Sequence, residues 1–407
     1  MDFETQLAKY AQLTLRFGVN IQKGQTLVIS SSIENADFVR LTVKRAYEMG
    51  ARKVHVYWTD DETTLIELQH AKEDSLTEVP QWIPDSLAAL ADAKAAFLTV
   101  SSTSPFKYRE VIPERMNSYR QARSRAYHEF HEKHMSRQWC IVGVPSPEWA
   151  QVVFPEVPVE QAVRQLWDRI FYTVRLTEDD PVEAWNRHLT LLDSKLAELN
   201  ARHFKRLHYT APGTKLTVEL PSQHLWATAS KVTDDGVSCC VNMPTEEVFT
   251  SPAKFGVDGV VRNTKPLNYG GNIIDGFQLT FKDGRVVDFS ADTGAELLRG
   301  ILDTDQGARH LGEIALVPHH SPISDLNFLF YNTLFDENAS CHIALGDGLS
   351  MCIEDGFSLT EDEREAKGVN KSMTHVDFMV GSDQLDIDGE LEDGTLHPIF
   401  RQGNWAF

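Results

Sequence analysis

Residues 25–60, QTLVISSSIENADFVRLTVKRAYEMGARKVHVYWTD, decide the fold class of the first half of the chain. QTLVISSS is a short apolar run that reads as a buried strand. FVRLTVKRAYEMGA has apolar residues at helical spacing and stops at Gly50, and RKVHVYWTD is a second strand. The segments on either side continue this alternation. TQLAKYAQLTLRFG precedes it as a helix ending at Gly18, and SLAALADAK, AFLTVSS and QWCIVGVPSP follow. Strand–helix–strand order with short connections predicts a parallel sheet flanked by helices. No GxGxxG or GxxxxGK[ST] follows any of these strands, so the sheet is expected to be a platform rather than a nucleotide site.

Further along, DPVEAWNRHLTLLDSKLAELNARH reads as a helix capped by Asp180 and begun by Pro181. After about residue 205 the pattern changes to strand-like runs (KLTVELP, FQLTFKDGRVVDFSA, EIALVP) separated by Gly, Asn and Asp turns. KDGR joins two alternating runs as a hairpin. The acidic EDGFSLTEDERE reads as a solvated loop. The expectation is an α/β N-terminal domain over residues 1–180 and an α+β, β-rich C-terminal metal-binding domain over 181–407, divided near residue 180.

Composition narrows the function classes. With 407 residues the chain exceeds one hydrophobic core, and 42% hydrophobic with 24% charged residues is ordinary for a globular protein. A formal charge of −20 argues against nucleic acid and against an anionic membrane surface as partners. It is compatible with a site whose surplus carboxylates hold a cation. MDFETQLAKY is charged from its second residue and carries no signal pattern. The longest apolar run, residues 86–100, is broken by Asp92 and Lys94, so no membrane span is expected. Five cysteines without CxxC spacing make a disulfide framework or a cysteine zinc knot improbable, and the chain reads as cytoplasmic.

HEFHEKH, residues 128–134, imitates a zincin helix, but its histidines are three apart rather than four, so a solvated or interface helix is favoured. The second half offers a better set. VNMPTEEVFTSP carries the adjacent acids Glu246 and Glu247, which taken alone read as a helix N-terminus. LGEIALVP puts Glu313 at the head of a buried strand, where an ionised carboxylate needs a cation, a metal or several hydrogen bonds. NASCHIALG puts His342 in a similar apolar setting. MTHVDFMVG sets His375 and Asp377 two apart in a strand, on one face. A lone His342 reads as a satisfied core histidine. Recurrence of the same anomaly favours a metal site of hard oxygen and imidazole donors, suited to zinc, cobalt or manganese. Five donors exceed what one catalytic zinc uses, and they match two metals sharing a carboxylate and a water.

At these residues the chain closely resembles the bacterial metallo-aminopeptidases of the aminopeptidase T and aminopeptidase S family. The resemblance rests on NMPTEEVFTSP, GARHLGEIALVP, SPIS, LFYNTLFDENASCHIALG and THVDFMVG, and on YAQLTLRFGVNIQKGQTLVIS near the N-terminus. It implies release of N-terminal residues from peptides at a dinuclear zinc or cobalt site held by Glu247, Glu313, His342, His375 and Asp377. It implies a cytoplasmic homodimer. Proton transfer is expected of Glu246 or Glu313. One departure stands out: where the family places a tyrosine after the ALG of its third motif, this chain has Leu349. That change motivates an alternative expectation, a weakened or inactive relative that binds peptides. Tyr331 and Tyr269 are the phenols considered as replacements.

Overall fold

A computed structural model describes residues 2–102 and 104–407. The chain forms two compact units, Met1–Asn186 with Ser230–Pro244, and Arg187–Ala229 with Thr245–Phe407.

The first unit contains the predicted parallel sheet. Its strands run in the order Asn242–Met243, Trp139–Gly143, Ala96–Ser101, Thr26–Ser32 and Lys53–Thr59, all parallel. The helix Ala36–Glu48 makes the crossover between Thr26–Ser32 and Lys53–Thr59. The opening helix, Phe3–Leu13, is capped by Asp2, whose carboxylate accepts from the Thr5 N–H at 2.9 Å, and it closes in a wider turn over Thr14–Gly18. HEFHEKH ends the long helix Pro113–His134, but it serves packing. The His134 ring sits edge-on to Phe97 at 5.0 Å and lies 5.4 Å from Trp139, and burial pulls its pKa down to about 3. All five cysteines are buried free thiols.

The helix Pro181–Arg202 begins in the first unit and continues into the second; its first N–H groups, those of Val182 and Glu183, donate to the Asp180 carboxylate. The second unit carries two main antiparallel sheets and a two-stranded one, Leu267–Tyr269 with Asn272–Ile274. The larger has eight strands and includes the KDGR hairpin, where Lys282 pairs with Arg285 and both turn residues take positive φ. The smaller positions the site. Its strands are ordered His375–Met379, His342–Gly346, Leu311–Leu316, Val248–Thr250 and Ala227–Thr228. Alternation gives this sheet two chemically opposed faces. Ile314, Leu316, Ile343, Leu345, Val376 and Phe378 enter the core of the unit. The opposite face carries His375 and Asp377 on one strand and His342 on the next, with the small Ala344 directly across from Asp377.

A bulge brings Glu313 onto that same face. Leu311 pairs with Leu345, but Glu313 pairs with Ala344 rather than Ile343, so Gly312 is the extra residue. In a regular strand Glu313 would share the face of Leu311 and point into the core. Gly312 is required because a Cβ there would lie 2.0 Å from the Asp347 carbonyl oxygen. The segment Thr245–Glu247 is not the helix start that its paired acids imply; it is extended chain leading into Val248–Thr250. Tertiary pairing with Leu311–Leu316 overrides the local preference of the acids.

Candidate metal centre

The sheet brings the five predicted ligands together. Their donor atoms form two groups, Glu247 with Glu313 and His342, and Glu313 with His375 and Asp377. Within each group the atoms all lie within 4.8 Å of one another, and Glu313 belongs to both. His342 Nε2 is 3.3 Å from Glu247 Oε2, and His375 Nε2 is 3.0 Å from Glu313 Oε2 and 3.3 Å from Asp377 Oδ1. Donors around a tetrahedral cation with bonds of about 2.0–2.1 Å stand roughly 3.3 Å apart, so this spacing is that of a coordination shell.

Both imidazoles are held the way ligands are held. His342 Nδ1–H donates to the Ser340 carbonyl at 3.1 Å, and His375 Nδ1–H donates to the Asp347 carbonyl at 2.8 Å. A backbone acceptor on Nδ1 fixes the tautomer and turns the Nε2 lone pair toward the carboxylates. Two acceptor-only groups then face each other, which is favourable only with a cation between them. Asp377 Oδ1 is buried with no hydrogen-bond partner, an orphan that a metal would satisfy. Glu247, Glu313 and His342 are buried, whereas the His375 side chain is 29% exposed and marks the open side.

The electrostatics agree. Burial works against a charged His342, but the hydrogen bond to Glu247 and the charges of Glu247, Asp377 and Glu313 lift its pKa to about 10. Burial raises Glu313, with His375 opposing and Asp377 and Glu247 adding to the rise. For Asp377, burial is outweighed by His375 and His342, and its pKa falls. Without metal, protons therefore substitute for the missing cations.

Glu246 is not in either group. Its carboxylate lies 3.5 Å from His188 Nε2, and its N–H donates to Asn338 Oδ1 at 2.8 Å. A carboxylate that the sequence reading overlooked, Glu337, does face the centre. Burial raises its pKa well above the ordinary value, and Glu247 and Asp377 push it further. It opens the short 3-10 helix Glu337–Ala339 between Thr333–Asp336 and His342–Gly346, so no strand alternation singled it out. Leu349 donates its N–H to Ser251 Oγ, and its side chain packs with Ala227, Phe249, Ala315 and Cys352. Ala315 pairs with His342, which puts Leu349 beside the ligand face. Tyr331 lines a cavity with Asp377 and Glu337, whereas Tyr269 packs against the core of the unit.

Converging Glu, His and Asp donors on a β-rich unit make a candidate metal centre, and comparison with known proteins supplies the family. The family model of the thermophilic metalloproteases (M29) matches residues 3–405. The chain belongs to that family. It is 48% identical to aminopeptidase 2 of Geobacillus stearothermophilus over 407 residues, covering 100% of this chain and 98% of that one. It is 47% identical to aminopeptidase AmpS of Bacillus subtilis, covering 100% and 99%. The structure of wild-type AmpT from Thermus thermophilus superposes with a TM-score of 0.94 at 41% identity, covering all of both chains.

Two predictions follow from this geometry. Gly312→Ala pushes on the Asp347 carbonyl that orients His375, and it should weaken metal affinity about 10–100-fold while lowering stability by about 1–3 kcal/mol. Chelator competition and thermal melting measure the two effects. Second, His342 is protonated in the metal-free protein at pH 7 and must be neutral to bind metal. Metal uptake should release protons, seen by calorimetry in buffers of different ionisation enthalpy, and affinity should rise with pH up to about 10. The sign for stability is opposite. Because the folded pKa is raised, the contribution of this group to metal-free stability is full below about 6.5 and is lost as pH climbs through about 10.

Proposed function

We propose that this chain is a metal-dependent aminopeptidase that releases N-terminal residues from peptides at a dinuclear centre. One observation carries the reading: two imidazoles, each locked by a backbone carbonyl, present Nε2 to carboxylates that meet at Glu313. Glu247, Glu313 and His342 would hold one ion, and Glu313, His375 and Asp377 the other. The mixed oxygen and imidazole donors suit zinc or cobalt, with manganese also admissible. When bound, such ions acidify a water and polarise the scissile carbonyl.

The residues of the chain do the rest. The Ser340 and Asp347 carbonyls accept from Nδ1–H of the two imidazoles and aim their Nε2 atoms. Glu246, next to Glu247 and paired with His188, lies outside both donor groups and is the carboxylate we assign to accept a proton and return it to the leaving amine. Glu313, common to both groups, is the second candidate for that step. A pocket this rich in carboxylates favours a cationic N-terminus, the feature that distinguishes an exopeptidase substrate. The names of the relatives, aminopeptidase 2 and aminopeptidase AmpS, point the same way. The complete donor set favours hydrolysis over the peptide-binding role that Leu349 alone motivates.

The reading extends to a homodimer in the cytoplasm. Buried free thiols suit a reducing compartment, and among the described residues no helix is long and apolar enough to cross a membrane.

Dialysis against a chelator should abolish cleavage of aminoacyl anilides, and zinc or cobalt should restore it, while N-acetylated substrates stay intact. Turnover that survives complete metal removal defeats the proposal. Leu349→Tyr tests the departure from the family pattern. A phenol there is expected to raise kcat by about tenfold or more with little change in KM, since one such donor is typically worth about 10²–10³.

A further inference from the structure

We infer that the cavity beside Asp377 and Glu337 receives the first residue of the substrate, with Glu337 binding its α-ammonium and apolar walls taking a side chain of the leucine or methionine class. The inference rests on the aminopeptidase reading and adds the determinant of substrate choice.

The cavity lies one step along the ligand strand. Asp377 and Met379 are two apart in His375–Met379, so they share a face about 7 Å apart, and both line the cavity. Pro266, Leu267 and Leu329 join Met379 as apolar walls, and Glu337 and Asp377 supply the acidic groups. Its volume is about 40 Å³. At roughly 10–15 Å³ per water-sized sphere this is room for about three waters, comparable to an isobutyl group and too little for an indole.

The wall is built rather than accidental. Asp336 accepts from the Phe330 N–H at 2.8 Å and from the Asn332 N–H at 3.0 Å. That clamp holds Tyr331 at φ 55°, a conformation unusual for a tyrosine, and fixes Leu329 and Tyr331 at the cavity. Strain of this kind concentrates at ligand clamps.

Glu337 is the acid this site leaves unassigned. It lines the cavity together with Asp377 and feels the charges of Glu247, Glu313 and His342, yet it belongs to neither donor group. Its near polar neighbour is Asn338 Nδ2, at 3.5 Å. A carboxylate set among other carboxylates calls for a cation of its own. An aminopeptidase substrate delivers one, placed a single bond from the side chain that the apolar walls would take.

The test uses the full chain loaded with zinc or cobalt, leucyl and glycyl anilides, and the variants Glu337→Gln and Leu329→Trp. Glu337→Gln should raise KM for both substrates about 10–100-fold, with kcat lowered less and metal content unchanged. Leu329→Trp should cut kcat/KM for the leucyl substrate by about tenfold or more and spare the glycyl one. Calorimetry with free L-leucine gives a readout independent of turnover: binding should be weakened by Glu337→Gln and absent for N-acetyl-leucine. A loss of kcat at constant KM in Glu337→Gln would make Glu337 a proton carrier and overturn the inference, as would equal slowing of both substrates by Leu329→Trp. If the loaded native chain cleaves nothing, the aminopeptidase reading fails. L-leucine binding then decides the subsite alone: binding weakened in Glu337→Gln supports it, and no binding overturns it.

Discussion

The repulsion among buried carboxylates is the constraint around which the second unit is organised. Glu247 and Asp377 raise the cost of ionising Glu313, and those three together raise that of Glu337, with two imidazoles to offset them. Two like charges 4 Å apart at an effective dielectric of 20 repel by about 4 kcal/mol, so such a cluster opposes folding. It is carried on a sheet whose other face is fully apolar, where Ile314, Ile343, Leu345 and Phe378 are essentially inaccessible. The burial of that face holds the anionic face in place, and bound cations complete it. On this view the donor set is preorganised by the core behind it.

Close backbone approach supplies the remaining precision. Gly312 lets the Leu311–Leu316 strand bulge against Asp347, and Gly346, at φ 108°, lets the Thr374 carbonyl come within 2.0 Å of where a Cβ would stand. Gly346 is the register partner of His375. The two glycines therefore bring the carbonyl of Asp347 and the ring of His375 within hydrogen-bonding distance, and through that bond they set the direction of His375 Nε2. Positioning here is done by main chain, which is stiffer than a side-chain partner would be.

These features divide what the sequence revealed from what it concealed. His375 and Asp377 were legible because strand alternation with a period of two fixes their common face. His342 and Glu313 were legible as charges out of place in apolar runs. The reason Glu313 faces the site was not legible, since a bulge at Gly312 depends on where the neighbouring strand pairs. Glu337 was missed for a related cause: it lies in a 3-10 helix of three residues, too short for periodicity to assign a face. HEFHEKH shows the converse. Its histidines carry a metal-like pattern, but tertiary packing against Phe97 and Trp139 consumes one of them as an aromatic. The parallel sheet of the first unit was read well because local alternation and long-range pairing agree there.

On the proposed reading the same charge distribution orients a substrate. A tetrahedral intermediate develops negative charge, and the carboxylates of this pocket cannot stabilise it; only the cations they hold and neutral donors can. The Leu349 side chain provides no donor and packs in an apolar cluster with Ala315, so the wall on that side is apolar. The neutral donors on the cavity side belong to Tyr331, Asn268, Asn332 and Thr333, which line the space next to Asp377 and Glu337. On the proposed reading the ammonium end of a peptide is drawn to the carboxylate that holds no metal, and its carbonyl is drawn to the metals. A reversed peptide would set its own carboxylate against Glu337. The arrangement therefore selects for a free N-terminus by repulsion as much as by attraction, and it does so whether or not a phenol assists at the carbonyl.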